Sequence, residues 1–225
     1  VGSEMCNKRQ LYYENVLLMA ERLGRTEAME LSFVNLGSGI GIPMDPEDEE
    51  MDLALLEKAF AALAGPFHDR FPKARLFLES GRYAPGPSGF YVTKALDRKV
   101  SEGKVFLITA GTMHGFLPPA LARLVEKYDE TGHPALCEPL FSGARAFPIS
   151  TLREGNPETV TITGNLCTAA DIIAEDITLP RLAEGDGIVI GNAGAYAATL
   201  SPFAFSSLER PKEFLLKETG DLEGV

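Results

Sequence analysis

The residues of this chain most suited to chemistry lie in short glycine-bearing loops that follow apolar runs. Four such loops carry serine, arginine or tyrosine beside the glycine: Val1-Gly2-Ser3, Gly37-Ser38-Gly39, Glu79-Ser80-Gly81-Arg82 and Asn192-Ala193-Gly194-Ala195-Tyr196. Glycine allows a backbone N–H to approach an anion closely, and the neighbouring side chains add further hydrogen-bond donors. If these loops converge on one point, they would hold a phosphate ester.

One acidic residue, Glu79, stands among these donors. A carboxylate in an anion site is unfavourable unless it faces a positive group of the same ligand. A protonated pyridine nitrogen on the phosphorylated ligand would meet that need. The loops therefore predict a site for a phosphorylated pyridine.

The elements that would position these loops alternate between helix and strand in the first part of the chain. Apolar spacing and glycine or proline stop signals predict a helix over 11–23 that ends at Gly24, and a second over 52–64 that ends at Gly65-Pro66. Short apolar runs over 31–36 and 75–78 predict buried strands. We expect residues 1–84 to form part of an α/β barrel, with the loops at the carboxyl ends of the strands, where such barrels carry their sites.

The pattern changes after Pro85-Gly86-Pro87. Short β-prone runs separated by glycine and proline predict a β-sandwich or β-barrel over residues 85–225, with strands at 89–95, 104–109, 158–163 and 187–190. A helix is predicted over 120–128 and a short one over 169–174.

Composition excludes several classes of partner. The net charge of −11 gives no basic surface for nucleic acid or an anionic membrane. No apolar run reaches the roughly 18 residues of a membrane helix.

Three cysteines without a CxxC pair favour a reducing compartment, and we expect the cytoplasm. The acidic run over 45–50 is read as a solvated approach to a helix, and we assign no metal site.

Five segments in this order resemble the motifs of the fold type III pyridoxal-phosphate decarboxylases, the group of the diaminopimelate, ornithine and arginine decarboxylases. The family motifs are His-Val-Gly-Ser, Gly-Gly-Gly, Glu-Pro-Gly-Arg, Gly-Pro-x-Cys and Gly-Ala-Tyr. They correspond here to Val1-Gly2-Ser3, Gly37-Ser38-Gly39, Glu79-Ser80-Gly81-Arg82, Gly164-Asn165-Leu166-Cys167 and Gly194-Ala195-Tyr196. The resemblance implies an eight-stranded α/β barrel followed by a β-domain, with this chain holding the last barrel units and the β-domain.

The resemblance also implies roles for individual residues. Pyridoxal 5'-phosphate is the expected cofactor, with Glu79 facing its ring nitrogen. The expected phosphate ligands are Ser3, Gly37, Ser38, Gly39, Gly81, Arg82 and Tyr196. The family lysine that forms a Schiff base with the cofactor lies upstream of Val1, so we expect this chain alone to be inactive.

Cys167 matches a family cysteine that a neighbouring subunit inserts into the site, where it is linked to proton return after carbon dioxide leaves. Asp171 follows it in the family pattern. The resemblance therefore implies a homodimer in which Cys167 acts in trans. Cys6 and Cys137 match no family position, and we expect them to be structural.

The expected reaction removes the α-carboxylate of an amino acid, but the substrate departs from the family pattern. Diaminopimelate decarboxylases carry an acidic residue directly after the cysteine, where this chain has Thr168. They also carry an Arg-Pro-Ala-Leu-Tyr segment, which here reads Pro118-Pro119-Ala120-Leu121-Ala122. Because both charged contacts are missing, we expect a substrate other than standard diaminopimelate.

His114 stands beside this segment and is a candidate substrate contact. The alternative is a loop histidine whose hydrogen bonds are satisfied within the protein.

Two other functions stay open at this point. A noncatalytic homologue would keep the fold for binding or regulation, and a racemase would keep the cofactor with different chemistry.

Overall fold

The structure, a computed structural model, describes residues 2–26, 30–37, 40–43, 48–129 and 144–225. The chain divides into two compact units, Val1–Gly86 and Pro87–Val225. Within the described ranges, no helix combines the length and apolar character that crossing a membrane requires.

The first unit contains α1 (Gly2–Thr26), β1 (Phe33–Asn35), α2 (Leu53–Arg70) and β2 (Arg75–Phe77). The two strands pair in parallel with Phe33 opposite Arg75, and α2 is the crossover between them. Asp52 caps α2, since its side chain accepts a hydrogen bond from Leu55 N at 3.0 Å. The buried core of this unit comprises Tyr13, Ala20, Val34, Leu36, Phe67 and Ala74. The predicted order of helix, strand, helix and strand is confirmed.

Both predicted helix ends in this unit are wrong. α1 passes through Gly24 to Thr26, and Phe71 Cε1 lies only 3.4 Å from the place where a Cβ on Gly24 would stand. The Phe71 ring packs against the helix beside Gly24, and this tertiary packing outweighs the low helix propensity of glycine. α2 continues past Pro66 to Arg70, because the adjacent Phe67 is 3% exposed and anchors the last turns in the core.

The predicted loop at the start of the chain is wrong, whereas the described part of the acidic run leads into a helix as predicted. Gly2 and Ser3 belong to the first turn of α1 rather than to a separate loop. Of the acidic run, residues 45–47 lie outside the described residues, and Asp48, Glu49 and Glu50 precede the cap of α2.

The second unit is built on one six-stranded sheet. Its strands are β3 (Tyr91–Ser101), β4 (Lys104–Thr109), β5 (Ile149–Thr151), β6 (Pro157–Thr163), β7 (Ile172–Pro180) and β8 (Gly187–Ile190), and α3 spans Pro118–Asp129. The strand order is β5-β8-β3-β4-β6-β7, in which β4 and β6 run parallel and all other neighbours antiparallel. The edge strands β5 and β7 approach one another, so the mixed sheet is nearly closed. The sheet buries Ala95, Leu107, Ile162, Ile188 and Ile190.

Of the two architectures predicted for this part of the chain, the nearly closed single sheet is nearer to a barrel than to a sandwich. The short helix predicted over 169–174 is wrong, because Ile172 begins β7 and pairs with Thr163 of β6. Two consecutive β-branched residues there favour a strand once a partner is present. A separate antiparallel hairpin of β9 (Phe214–Leu216) and β10 (Leu222–Gly224) ends the chain.

Candidate functional site

In the first unit, the predicted ligand residues Gly37 and Glu79 lie at the carboxyl ends of the two parallel strands. Backbone pairing continues beyond β1 and β2, with Leu36 N donating to Phe77 O at 2.9 Å and Glu79 N donating to Gly37 O at 2.9 Å. Gly37 and Glu79 are therefore adjacent on one edge of the pair. This is the edge at which α/β folds bind ligands.

Asn35 organises this edge. Its side-chain Nδ2 donates to Glu79 Oε1 at 2.6 Å, and its Oδ1 accepts from Gly37 N at 2.8 Å. Gly37 has φ of +72°, which favours glycine, so the chain turns there without strain. The amide thus fixes both the exposed Glu79 carboxylate and the loop that begins at Gly37.

Arg82 lies on the same segment as Glu79, and its residue is only 8% exposed. Gly86 N donates to Arg82 O at 2.8 Å, and a Cβ on Gly86 would stand 2.8 Å from Arg82 Cγ. The absence of a side chain at Gly86 therefore makes room for the stem of Arg82. Gly81, beside it, is partly buried. Ser38 and Gly39 lie outside the described residues, as does the side chain of Ser3.

In the second unit, the cysteine loop, defined here as Gly164–Asp171, folds back on the carboxylate of its last residue. Leu166 N donates to Asp171 Oδ2 at 3.0 Å, and Gly164 N donates to Asp171 O at 2.9 Å. A side chain at Gly164 would clash with Asp171 Oδ2 and with Thr112 Oγ1. Cys167 stands in this loop as an exposed thiol outside any disulfide.

Thr168 uses its hydroxyl within the cysteine loop. The Oγ1 atom accepts a hydrogen bond from Ala170 N at 3.2 Å, and the backbone carbonyl of Thr168 accepts from Asp171 N at 3.2 Å. Both contacts tighten a local turn of the kind that serine and threonine form. A role for Thr168 in substrate contact stays a prediction.

A second loop, Gly111–Leu117, is here named the hub loop because it forms hydrogen bonds both with Asp171 of the cysteine loop and with Ser201. Asp171 Oδ1 accepts from the Thr112 hydroxyl and from Met113 N, the latter at 3.1 Å. At the other end, Leu117 N donates to Ser201 Oγ at 2.8 Å. Asp171 is 3% exposed and Ser201 is 6% exposed, so both links are shielded from water.

His114 lies in the hub loop and is 4% exposed. No described residue forms a hydrogen bond with its Nδ1 atom. The imidazole and the Tyr91 hydroxyl both approach Gly111, where a Cβ would stand 2.9 Å from His114 Cε1 and 2.8 Å from the hydroxyl. Burial raises the pKa of Tyr91 to about 12, with a smaller contribution from the negative charge of Asp171.

The tyrosine loop, Gly191–Ser201, holds Tyr196 in an unusual backbone conformation, with φ of +60°. Asn192 has φ of +56° and donates from its side chain to Ala146 O at 2.6 Å. Ala193 N donates to Gly89 O at 2.9 Å, and a Cβ on Gly89 would clash with this loop. Positive φ in non-glycine residues is frequent at binding sites, where surrounding bonds hold it in place.

The structure thus brings together Gly37 and Glu79 in one unit, and joins the loops of Cys167, His114 and Tyr196 in the other. Sequence reasoning missed Asn35 and Ser201, and it gave Asp171 no structural role. A polar residue two positions before Gly37 was the available signal for Asn35, whereas nothing local distinguishes Ser201. Within the described ranges, no three metal-binding side chains form a cluster.

Comparison with known proteins identifies the family. Residues 17–194 match the family model described as "Pyridoxal-dependent decarboxylase, C-terminal sheet domain". The L-glutamyl-[BtrI acyl-carrier protein] decarboxylase of Niallia circulans is 33% identical over 193 residues, covering 84% of this chain and 42% of that protein. The diaminopimelate decarboxylase of Thermoplasma acidophilum is 32% identical over 210 residues, covering 92% of this chain and 44% of that protein.

Solved structures show the same fold. The diaminopimelate decarboxylase of M. jannaschii, in complex with L-lysine, superposes with a TM-score of 0.74 at 22% identity, covering 97% of this chain and 45% of that one. The chain spans less than half the length of these relatives. Its matched region nevertheless covers most of its own sequence, and the chain therefore belongs to the pyridoxal-phosphate-dependent decarboxylases, of which it contains the C-terminal sheet domain.

Proposed function

We propose that the full-length protein removes the α-carboxylate of an amino acid as carbon dioxide, using pyridoxal phosphate. The observation that carries this proposal is Glu79, held by Asn35 Nδ2 at 2.6 Å beside the Gly37 turn. A fixed carboxylate at the edge of parallel strands suits a ligand that carries a cationic ring together with an anionic group. We propose that the first unit is the last part of an α/β barrel.

The donor chemistry of this edge fits pyridoxal phosphate. Glu79 would accept from the protonated ring nitrogen, and Arg82 and the Gly81 backbone would face the phosphate, with Tyr196 as a further donor. Ser3, Ser38 and Gly39 complete the proposed phosphate set. Gly37 N already donates to Asn35, so Gly37 would shape the loop rather than supply a donor. When bound, the cofactor supplies an electron sink for the electron pair left by carbon dioxide.

Cys167 is the proposed source of the proton that replaces the carboxylate. Its exposed thiol can transfer the Sγ proton to the substrate carbon and regain one from solvent. A thiol that lies exposed on its own subunit is also available to a neighbouring one. We propose a homodimer in which the cysteine loop of each subunit completes the site of the other.

Two variants test the roles proposed for Glu79 and Cys167. Glu79→Gln in the full-length protein should lower the rate of carbon dioxide release, because an amide keeps the ring nitrogen protonated less well than a carboxylate. Cys167→Ala should also lower it, whereas Cys137→Ala is the matched cysteine control. Unchanged carbon dioxide release in both site variants would refute the assignment.

Mixing the two variants tests the dimer. If Cys167 acts in trans, randomly mixed Glu79→Gln and Cys167→Ala subunits should recover about a quarter of wild-type activity, because half of the dimers are heterodimers with one intact site. If Cys167 acts within its own subunit, no heterodimer has an intact site and no activity returns.

We further propose that the substrate has an uncharged distal group, such as an acyl-linked glutamate. Thr168 stands where an acidic residue would meet a distal ammonium, and its hydroxyl is engaged with Ala170 N. Pro118 begins α3 where an arginine would meet a distal carboxylate. The Niallia circulans relative is named for a glutamyl group carried on an acyl-carrier protein. Both uncharged positions favour a substrate of that class.

A substrate comparison tests this proposal. Full-length protein should release carbon dioxide faster from a γ-glutamyl thioester of phosphopantetheine than from diaminopimelate, and Thr168→Glu should reduce the difference. A preference for diaminopimelate in the wild-type protein would contradict it. Racemisation without carbon dioxide release would indicate a racemase, and cofactor binding without either reaction would indicate a noncatalytic homologue.

A further inference from the structure

Asp171 is the buried anion that joins the cysteine loop to the hub loop. It is 3% exposed, and its carboxylate accepts three hydrogen bonds. Oδ2 takes the N–H of Leu166, and Oδ1 takes the hydroxyl of Thr112 and the N–H of Met113. Among the described residues, no lysine or arginine forms an ion pair with it. Fixed dipoles from the two loops therefore stabilise its charge.

The placement of these three donors is informative. Leu166 immediately precedes Cys167, and Met113 immediately precedes His114. A backbone bond one residue away fixes the position from which each side chain projects. Gly164 contributes by having no side chain where the carboxylate and Thr112 Oγ1 pass. One carboxylate thus sets the backbone beneath both Cys167 and His114.

We infer that Asp171 is a positioning residue for Cys167. It holds the thiol at the distance from the substrate carbon, and in the direction, that proton return requires. The inference rests on the proposed role of Cys167 in decarboxylation. Asp171 does not itself touch substrate, and its effect is transmitted through the Leu166 N–H. Small displacements of a reacting group lower rates steeply, so a loosened loop should act mainly on kcat.

Asp171→Asn is the sharpest substitution because it keeps the size of the side chain. An amide has one acceptor oxygen, and the pair of donors from Thr112 and Met113 favours that oxygen at the Oδ1 position. The amide NH₂ would then face the Leu166 N–H, donor against donor. This substitution should therefore release the cysteine loop while the hub loop keeps its bonds.

Ser201→Ala is the matched control. It removes the hydrogen bond from Leu117 N at the other end of the hub loop, together with the bond that the Ser201 hydroxyl donates to Ala197 O, and it leaves the Asp171 bonds in place. In the full-length protein, hydrogen–deuterium exchange read by mass spectrometry should rise over 164–170 in Asp171→Asn and stay at the wild-type level there in Ser201→Ala. Equal exchange over 164–170 in the two variants would overturn the inference without any reference to activity.

Kinetics in two backgrounds provide the second readout. Asp171→Asn should lower kcat by about tenfold to a hundredfold with little change in KM. In a Cys167→Ala background the same substitution should have little further effect, because residues that act through one group are not additive. Equal losses in both backgrounds would contradict positioning through Cys167. If Cys167→Ala alone leaves carbon dioxide release unchanged, the proposed function of Cys167 fails first.

Thr112→Val keeps the test decisive if Asp171→Asn does not fold. It removes one donor to the carboxylate and keeps both backbone bonds, so a smaller fall in kcat is expected, again confined to the background that contains Cys167. An unchanged kcat, or an equal fall without Cys167, would overturn the inference.

Discussion

The strand-end edge of the first unit and the loop cluster of the second hold their functional residues in different ways. Glu79 is exposed, and one amide, Asn35, fixes it together with Gly37. The loops of Cys167 and His114 are instead joined by Asp171, which is 3% exposed and accepts three hydrogen bonds. An exposed edge depends on few bonds, whereas a buried network rigidifies the loops that it joins.

The buried network is supported by a second link outside the loops. The hub loop leads into α3 and the cysteine loop leads into β7, and Arg123 of α3 donates to Glu175 of β7 at 3.0 Å. Lys127 pairs with the same carboxylate at 2.7 Å. The elements that follow the two loops are therefore joined as well, so substitutions in this unit should affect stability more than substitutions at the strand-end edge.

The largest effect is expected from Gly164→Ala. The added methyl group would clash with Thr112 Oγ1 and Asp171 Oδ2, so it must displace the bonds that join the two loops. We expect a loss of about 3 kcal/mol in the free energy of unfolding, at the upper end of overpacking effects. Urea unfolding of the purified protein measures it.

The control for that substitution is Gly155→Ala, where no atom of the described residues, apart from the chain neighbours of Gly155, lies within 4 Å of the added methyl group. Equal stability of Gly164→Ala and Gly155→Ala would show that the loops are not tightly joined at Gly164.

Alkaline pH tests the burial of Tyr91. Its pKa is raised to about 12 from 10.0, chiefly by burial, so the unfolded chain loses this proton before the folded protein does. The resulting stability is fully present below pH 10 and lost as the pH rises towards 12, by about 2 to 3 kcal/mol. Unfolding measured across this window should show a shallower decline in Tyr91→Phe than in wild type. A parallel decline in both proteins would contradict it, and Tyr83→Phe is the control.

Acid pH tests the link between α3 and β7. The hydrogen bond from Arg123 is the main reason that the pKa of Glu175 is lowered from 4.5 to about 2, and Lys127 adds to it. This stability is present above pH 4.5 and lost as the pH falls through 2. Because the carboxylate is partly exposed, we expect about 1 to 2 kcal/mol. Glu175→Gln should flatten this part of the stability profile, and an unaltered acid profile would argue against the link.

The smallest stability effect is expected at the strand-end edge. Asn35→Ala removes two exposed hydrogen bonds and should cost about 1 kcal/mol or less. Pyridoxal phosphate should nevertheless bind the full-length variant about tenfold more weakly, because Glu79 loses the bond that orients it. Equilibrium dialysis measures this. A large loss of stability with unchanged affinity would reverse the contrast between the two regions.

The sequence predicted the α/β alternation well because the apolar runs of β1 and β2 are short and each is followed by a glycine-bearing loop. It also predicted β4 over 104–109 and β8 over 187–190, where both the run and its boundaries are local features. The helix ends failed where tertiary packing outweighed a stop signal, as when Phe71 packs beside Gly24. β7 was missed because its strand character depends on pairing with β6.

The sequence by itself was sufficient to identify the family motifs and their order, because a motif is defined by residue types and their spacing along the chain. Tertiary structure alone decided that Asn35 holds Glu79, that Asp171 joins the loops of Cys167 and His114, and that Ser201 reaches the hub loop. These bonds join residues 44 to 84 positions apart in the chain. Local sequence patterns do not identify such partners, because the partners become neighbours only when the strands of each unit have paired and the loops of that unit are packed together.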